Sequence, residues 1–267
     1  MHPRSSPAIF TAADFAANFA TDSAADFAAD FAADSFAPAT ARQASSWPRA
    51  VANQGNAAEG AAALDMLLAR QKVWRAGRAP LAATCGEPTG FAALDALLPQ
   101  AGWPCAAVTE LLLSHPGVGE LSLLMPTLAR LTTQGGTVVL IAPPYLPYAP
   151  AWRAAGVDLS RLYLVEANPR DALWAFEQCL RSAACAAVLG WPMHAEVQVL
   201  RRLQVAAGSG DCLGFVFRER KHADNPSPAA LRLECVRAAS GSARGYAWQV
   251  RKCRGGYPSA VTFAITH

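Results

Sequence analysis

The sequence predicts an α/β fold with a mostly parallel central sheet and helices on both faces. Two observations predict it. From about residue 106 to residue 218, short apolar runs of strand length alternate with segments of helical periodicity. Strands that alternate with helices must be joined by crossovers, which makes neighbouring strands parallel and covers both sheet faces. After residue 218 strands recur without helices, at Leu231–Val236, Tyr246–Arg251 and Val261–Ile265, and these would extend the sheet as a meander.

Taken in order, residues 1–58 differ from the rest. Asp or Asn recurs every fourth position from Asp14 to Asp34, interleaved with Phe15, Phe19, Phe27 and Phe31 in an alanine background. Period four is compatible with helical stripes, but nothing nearby offers the Phe stripe a surface to bury against. Residues 1–58 are therefore expected to be a low-complexity, disordered extension. Leu64, Leu67, Leu68, Val73 and Trp74 then mark a helix over Ala61–Gly77, followed by a Pro/Gly/Thr-rich connector over Ala79–Gly90. Phe91–Leu98 reads as a short helix stopped by Pro99.

The alternating region begins with the apolar strand Ala106–Leu113 and the helix Gly117–Thr133. Strands follow at Thr137–Ala142, Leu162–Val165, Ala186–Leu189 and Leu213–Arg218. Helices are expected at Ala151–Ala155, Asp171–Ala183 and Ala195–Ala207, and Pro143–Pro150 is a proline-rich loop. The folded domain is expected over residues 59–257, with 258–267 as a tail.

Composition sets the limits. Of the 267 residues, 52% are hydrophobic and 16% charged, enough apolar side chain for a substantial core. A membrane-spanning helix needs about 20 apolar residues, and the best run, Ala106–Leu113, already contains Thr109 and Glu110. No charged leader precedes a leucine-rich stretch at the start, and no membrane association is expected. The seven cysteines are scattered, with no C-x-x-C pair, and read as reduced thiols of a cytoplasmic protein. The five histidines are isolated in sequence, so no metal site is expected.

Charge is unevenly placed. Residues 201–254 carry Arg201, Arg202, Arg218, Arg220, Lys221, Arg232, Arg237, Arg244, Arg251, Lys252 and Arg254, against Asp211, Glu219, Asp224 and Glu234. Such a segment suits DNA or an acidic protein partner; scattered by strand alternation, the same residues are a solvated face.

Ligands of parallel α/β sheets bind at the carboxyl ends of the strands. The first strand-to-helix turn runs from Ser114 to Leu121. A phosphate-binding loop there would read G-x-x-x-x-G-K-S/T. With Gly119 as its second glycine, Ser114 stands at the first glycine, Glu120 at the lysine and Leu121 at the magnesium-binding hydroxyl; Gly117 lies between. The position is right and the charge is inverted, since a carboxylate there repels phosphates.

Several stretches carry a resemblance. Thr89-Gly90, Leu94-Asp95 and Leu97-Leu98 resemble the T-G-x-x-x-L-D-x-L-L motif of RecA-type ATPase cores. Gly102 to Glu110 resembles their G-x-P-x-G-x-I/V-x-E run, with Ala106 in place of the usual glycine. Gly156-Val157-Asp158 through Leu162 resembles a later segment of the same cores. Gly190 stands at the Walker B aspartate, and Leu140 to Pro144 offers no acid at the place of the catalytic glutamate. With Pro143–Pro150, Arg201 to Gln204 and Lys252 to Gly256, the chain is similar to the ImuA family, RecA-like accessory factors of inducible mutagenesis related to the SulA cell-division inhibitors.

The resemblance implies a RecA-like core with a degenerate P-loop, no bound cofactor and no catalysis. It implies a role in the SOS response and translesion DNA synthesis. The implied partners are an ImuB-type Y-family polymerase homologue, an error-prone DNA polymerase and RecA. The alternatives are a SulA-type inhibitor of the tubulin-like division protein and, as an enzyme, a diverged ATPase. Candidate interaction residues are Lys252, Arg254, Arg251, Arg201 and Arg202, with Tyr145 and Tyr148 in the proline-rich loop. Lys252 and Arg254 would meet a partner's nucleotide site or DNA phosphates, or simply end an exposed strand before a Gly-Gly turn.

Overall fold

The computed structural model describes residues 8–11, 86–237, 246–259 and 261–263. All of them fall in one of the two units into which the chain divides, residues 1–19 together with 83–267. The expected helix over Ala61–Gly77 and most of the extension and connector lie outside the described residues.

The strands are β1 (Ala8–Thr11), β2 (Ala107–Leu113), β3 (Val138–Ile141), β4 (Leu162–Glu166), β5 (Ala187–Gly190), β6 (Leu213–Glu219), β7 (Leu231–Arg237), β8 (Tyr246–Cys253) and β9 (Thr262–Phe263). The helices are α1 (Ala92–Asp95), α2 (Glu120–Thr133), α3 (Ala149–Ala154), α4 (Pro169–Arg181) and α5 (Val197–Ser209). The strands form one nine-stranded sheet in the order β1-β4-β3-β5-β6-β2-β7-β8-β9. Every pair up to β7 is parallel; β8 and β9 are antiparallel. This is a mixed α/β sheet consistent with a RecA-like core.

Fully buried strands read as continuous apolar runs because both faces are covered. On one face, Leu123, Leu124 and Leu128 of α2 pack with Leu94, Trp103 and Trp152 against Leu111, Leu140, Leu189 and Phe215. On the other, Phe176 and Leu180 of α4 and Leu200 and Leu203 of α5 cover Val108, Val139, Val188 and Val216. The segment before β2 is pinned to α2: Trp103 Nε1 donates to Thr127 Oγ1 at 2.8 Å, and Arg130 pairs with Glu87. Ala106, where the resemblance expects glycine, has φ 51°. The left-handed region that glycine favours is thus kept with a side chain present, at a cost of roughly 1–2 kcal/mol.

Two expected boundaries are corrected. Residues 1–58 were expected outside the fold, yet Ala8–Thr11 pairs in parallel with Tyr163–Glu166 as the edge strand. Ile9, Phe10 and Thr11 are favourable strand residues, and the four-residue period begins only after them. Residues 258–267 were expected outside the domain as a tail, but Ser259 N–H donates to the Val250 carbonyl, and β9, which lies within the strand expected at Val261–Ile265, pairs with β8 and buries Phe263.

Glu110 lies at the centre of the sheet, fully buried on β2. Its Oε1 accepts from Arg218 of β6 at 2.6 Å and its Oε2 from Arg232 of β7 at 2.7 Å. Deleting one member of a buried ionic group costs about 3–5 kcal/mol, because the remaining charges are left without compensation. Glu110→Ala is therefore expected to lower the unfolding free energy by that amount, seen by circular dichroism as a lower urea midpoint at an unchanged slope. Deleting residues 1–11 is expected to keep the helical signal but uncover the outer edge of β4, whose unpaired amides and carbonyls template association. Light scattering should show stronger concentration-dependent association than in the full chain; identical scattering would mean that β1 does not protect that edge.

Candidate functional site

The site at the carboxyl end of β2 is built by the turn from Ser114 to Gly119. Gly117 and Gly119 have φ of 91° and 96°, left-handed values that turn the chain from strand into helix. Glu120 opens α2 and is buried, with 3% exposure. Its two carboxylate oxygens accept the Gly117 N–H at 2.9 and 3.1 Å. The positive end of the helix and this amide are where a nucleotide loop would hold phosphate. Here the chain's own carboxylate occupies the amide. Leu121 follows, half-buried against the apolar core, and Ser114 is exposed. Burial and the Glu120 carboxylate push the Cys235 thiol on β7 up to about 12.

The position of Gly190, where the resemblance places a Walker B aspartate, is filled in a different way. A Cβ on Gly190 would lie 2.5 Å from Cε1 and 2.6 Å from Cδ1 of Phe176. The α4 ring occupies the space where an aspartate would begin. The next residue, Trp191, stacks on Phe217 with centroids 4.6 Å apart. Its Nε1 is shielded and has no hydrogen-bond partner among the described residues. Beyond β3, Ala142 N–H donates to the Val165 carbonyl, and the chain continues into the proline-rich loop.

That loop and the β2–α2 turn enclose a cleft of about 280 Å³, lined by Gly117, Glu120, Leu140, Pro144, Tyr145 and Trp191 among others. Tyr145, Leu146 and Tyr148 of that loop are each 71% exposed. The expected helix start at Ala151 moves to Ala149, because Pro150 fits the first turn, where no N–H is required.

The basic C-terminal segment does not assemble one basic face. Arg218 and Arg232 point into the core at Glu110. Arg220 and Arg251 converge on the buried Glu234, and Arg251 also pairs with Asp224. Arg202 pairs with Glu177 of α4, and Lys221 with Glu219. Lys252 is half-buried and donates to the Ser227 carbonyl at 2.6 Å. Burial, with Arg254 and Arg232 nearby, holds its pKa below the ordinary lysine value. Arg254, two residues further on, is exposed, as are Arg237 at the end of β7 and Arg201 on α5, at the other end of the segment. Arg244 lies outside the described residues. The sequence count gave the charge correctly but not its direction, since acidic partners on neighbouring strands and helices are invisible in a one-dimensional tally.

One grouping was missed altogether. His194, Glu219 and His222 meet beside the ends of β5 and β6 although no metal spacing marks them in the sequence. Sheet order creates this proximity, because β5 and β6 are neighbours. Among the described residues no helix is long and apolar enough to cross a membrane. No protein-family model matches the chain, and no curated protein matches it.

Gly190→Asp is expected to destabilise the fold by roughly 1–3 kcal/mol through overpacking against Phe176. In titration calorimetry with Mg-ATP, neither the wild type nor this variant is expected to bind. A micromolar dissociation constant, about −8 kcal/mol, in either protein would overturn this reading of the loop.

Proposed function

We propose that this chain is a non-catalytic RecA-fold adaptor of SOS-induced translesion DNA synthesis, acting with an ImuB-type polymerase homologue and an error-prone DNA polymerase. The observation that carries the non-catalytic part is the Glu120 carboxylate bound to the Gly117 amide. A helix N-terminus already occupied by its own anion disfavours a nucleotide phosphate electrostatically and sterically. The mutagenesis role rests on the resemblance of the Thr89–Leu98, Gly102–Glu110 and Pro143–Pro150 stretches to the ImuA family.

A binding role also has a suitable surface. Tyr145, Leu146 and Tyr148 are exposed together on a loop whose prolines limit its freedom. Tyrosine supplies large contact area, and a prolyl backbone loses little entropy on binding. RecA and DNA are the further partners in this reading. Arg254 and Arg201, exposed and without an ion-pair partner among the described residues, are the basic side chains best placed to serve them.

Co-purification from cells exposed to DNA damage tests the proposal. Recovery of a Y-family-like polymerase is expected, reduced at least tenfold, about 1.4 kcal/mol, by replacing Tyr145 and Tyr148 with serine. Deletion of the gene should abolish damage-induced mutagenesis. Recovery of the tubulin-like division protein instead, with filamentous cells on overexpression without damage, would favour the SulA-type alternative and overturn the adaptor.

A further inference from the structure

His194, Glu219 and His222 belong to three different local structures. His194 sits in the loop between β5 and α5, Glu219 is the last residue of β6, and His222 ends the 3-10 turn Arg220–His222. His194 Nδ1 lies 3.6 Å from Glu219 Oε1. One ligand atom from each of the three side chains fits within 4.8 Å of the other two. Around tetrahedral zinc, with bonds of about 2.0–2.1 Å, neighbouring donors are roughly 3.3–3.4 Å apart. The His194–Glu219 pair is already close to that separation, and no other pair has to close by more than about 1.5 Å.

We propose that His194, Glu219 and His222 form a zinc-type divalent metal site, with solvent as the fourth ligand. Two histidine nitrogens and one carboxylate oxygen are a donor set that suits zinc.

The partners of these side chains support the assignment. Lys221 holds Oε2 of Glu219, which leaves Oε1, the atom facing His194, for the metal. Ligating carboxylates are commonly anchored in this manner. The side-chain Nδ2 of Asn225 donates to His222 Nδ1 at 3.2 Å. The other nitrogen of that ring, Nε2, is shielded from solvent and has no hydrogen-bond partner among the described residues. A half-turn of the Asn225 amide, which exchanges its nitrogen and oxygen, would let the oxygen accept Nδ1–H and leave Nε2 with the lone pair that a metal needs.

The site would tie the loop after β5 to the end of β6. Both segments also touch the central ion group: Arg218 donates to the Ala195 carbonyl and Arg232 to the His222 carbonyl. The backbone on either side of the cluster is thereby fixed before any ion arrives.

The full chain, stripped with chelator and kept reduced, is titrated with zinc chloride alone by calorimetry and with cobalt chloride by visible absorption. One equivalent is expected to bind with a dissociation constant of roughly 10 µM or tighter. His194→Ala, His222→Ala and Glu219→Gln should each weaken it at least tenfold, and zinc should raise the melting temperature of the wild type only. The three residues are at or near the surface, and thermal melts without metal verify that the variants fold. Absence of binding below about 100 µM would overturn the proposal. So would unchanged affinity in the histidine variants, which would place the ion elsewhere, or the intense near-ultraviolet absorption of cobalt thiolates, which would assign it to cysteine. These outcomes are independent of the polymerase recovery that tests the adaptor reading.

Discussion

The buried carboxylate of Glu110 organises the middle of this molecule. It bridges Arg218 and Arg232 and so links β2 to both of its neighbours, β6 and β7. The register makes this possible: Glu110 lies opposite Arg232 and diagonal to Arg218, which is paired with Leu112, so all three side chains share one face. The unused donors of the two guanidinium groups reach outward to backbone carbonyls. Arg218 bonds Ala195 just before α5, and Arg232 bonds His222, Ala223 and Asn225 beyond β6. One ionic group therefore sets the strand order locally and also fixes the loops at the carboxyl ends of β5 and β6. An apolar trio would give comparable stability, but it would offer those loops no donors.

This inward use of charge explains what the sequence could and could not disclose. The strands from β2 to β6 were legible because burial on both faces demands uninterrupted apolar residues, and their limits moved by only one or two positions. Arg218 and Arg232 interrupt that rule at the ends of β6 and β7, and a count of basic residues cannot distinguish a guanidinium facing water from one facing Glu110. β1 was obscured by its neighbours. Four residues are too short for a periodicity argument, and the repeat that follows from Asp14 dominates the composition. The His194, Glu219 and His222 grouping was hidden for a topological reason: it depends on β5 and β6 being adjacent, and local spacing does not encode that.

The nucleotide-loop position was legible in place and charge, while its physical content appears only in three dimensions. Sequence shows that the lysine, hydroxyl and aspartate are missing at Glu120, Leu121 and Gly190. The structure adds that the places they leave are taken. The Gly117 amide is bonded to Glu120, Leu121 packs against the core, and the Phe176 ring presses on Gly190. Each substitution is thus coupled to a neighbour that now depends on it. Lysine at position 120 would remove the acceptor of a backbone donor, and a hydroxyl at position 121 would give up apolar contact.

A loop that merely lacked its lysine would keep its amides free and would still attract anions through the helix dipole. Here the amide, the dipole and the carboxylate neutralise one another locally, and the cleft above them is walled by Leu140, Pro144, Tyr145 and Trp191. Apolar walls over a self-neutralised helix end favour an uncharged, apolar ligand surface, because desolvating phosphate there would have no compensating cation. The apolar walls of the cleft, together with the exposed Tyr145, Leu146 and Tyr148 on its proline-rich loop, are the features on which the proposed contact with another polypeptide rests.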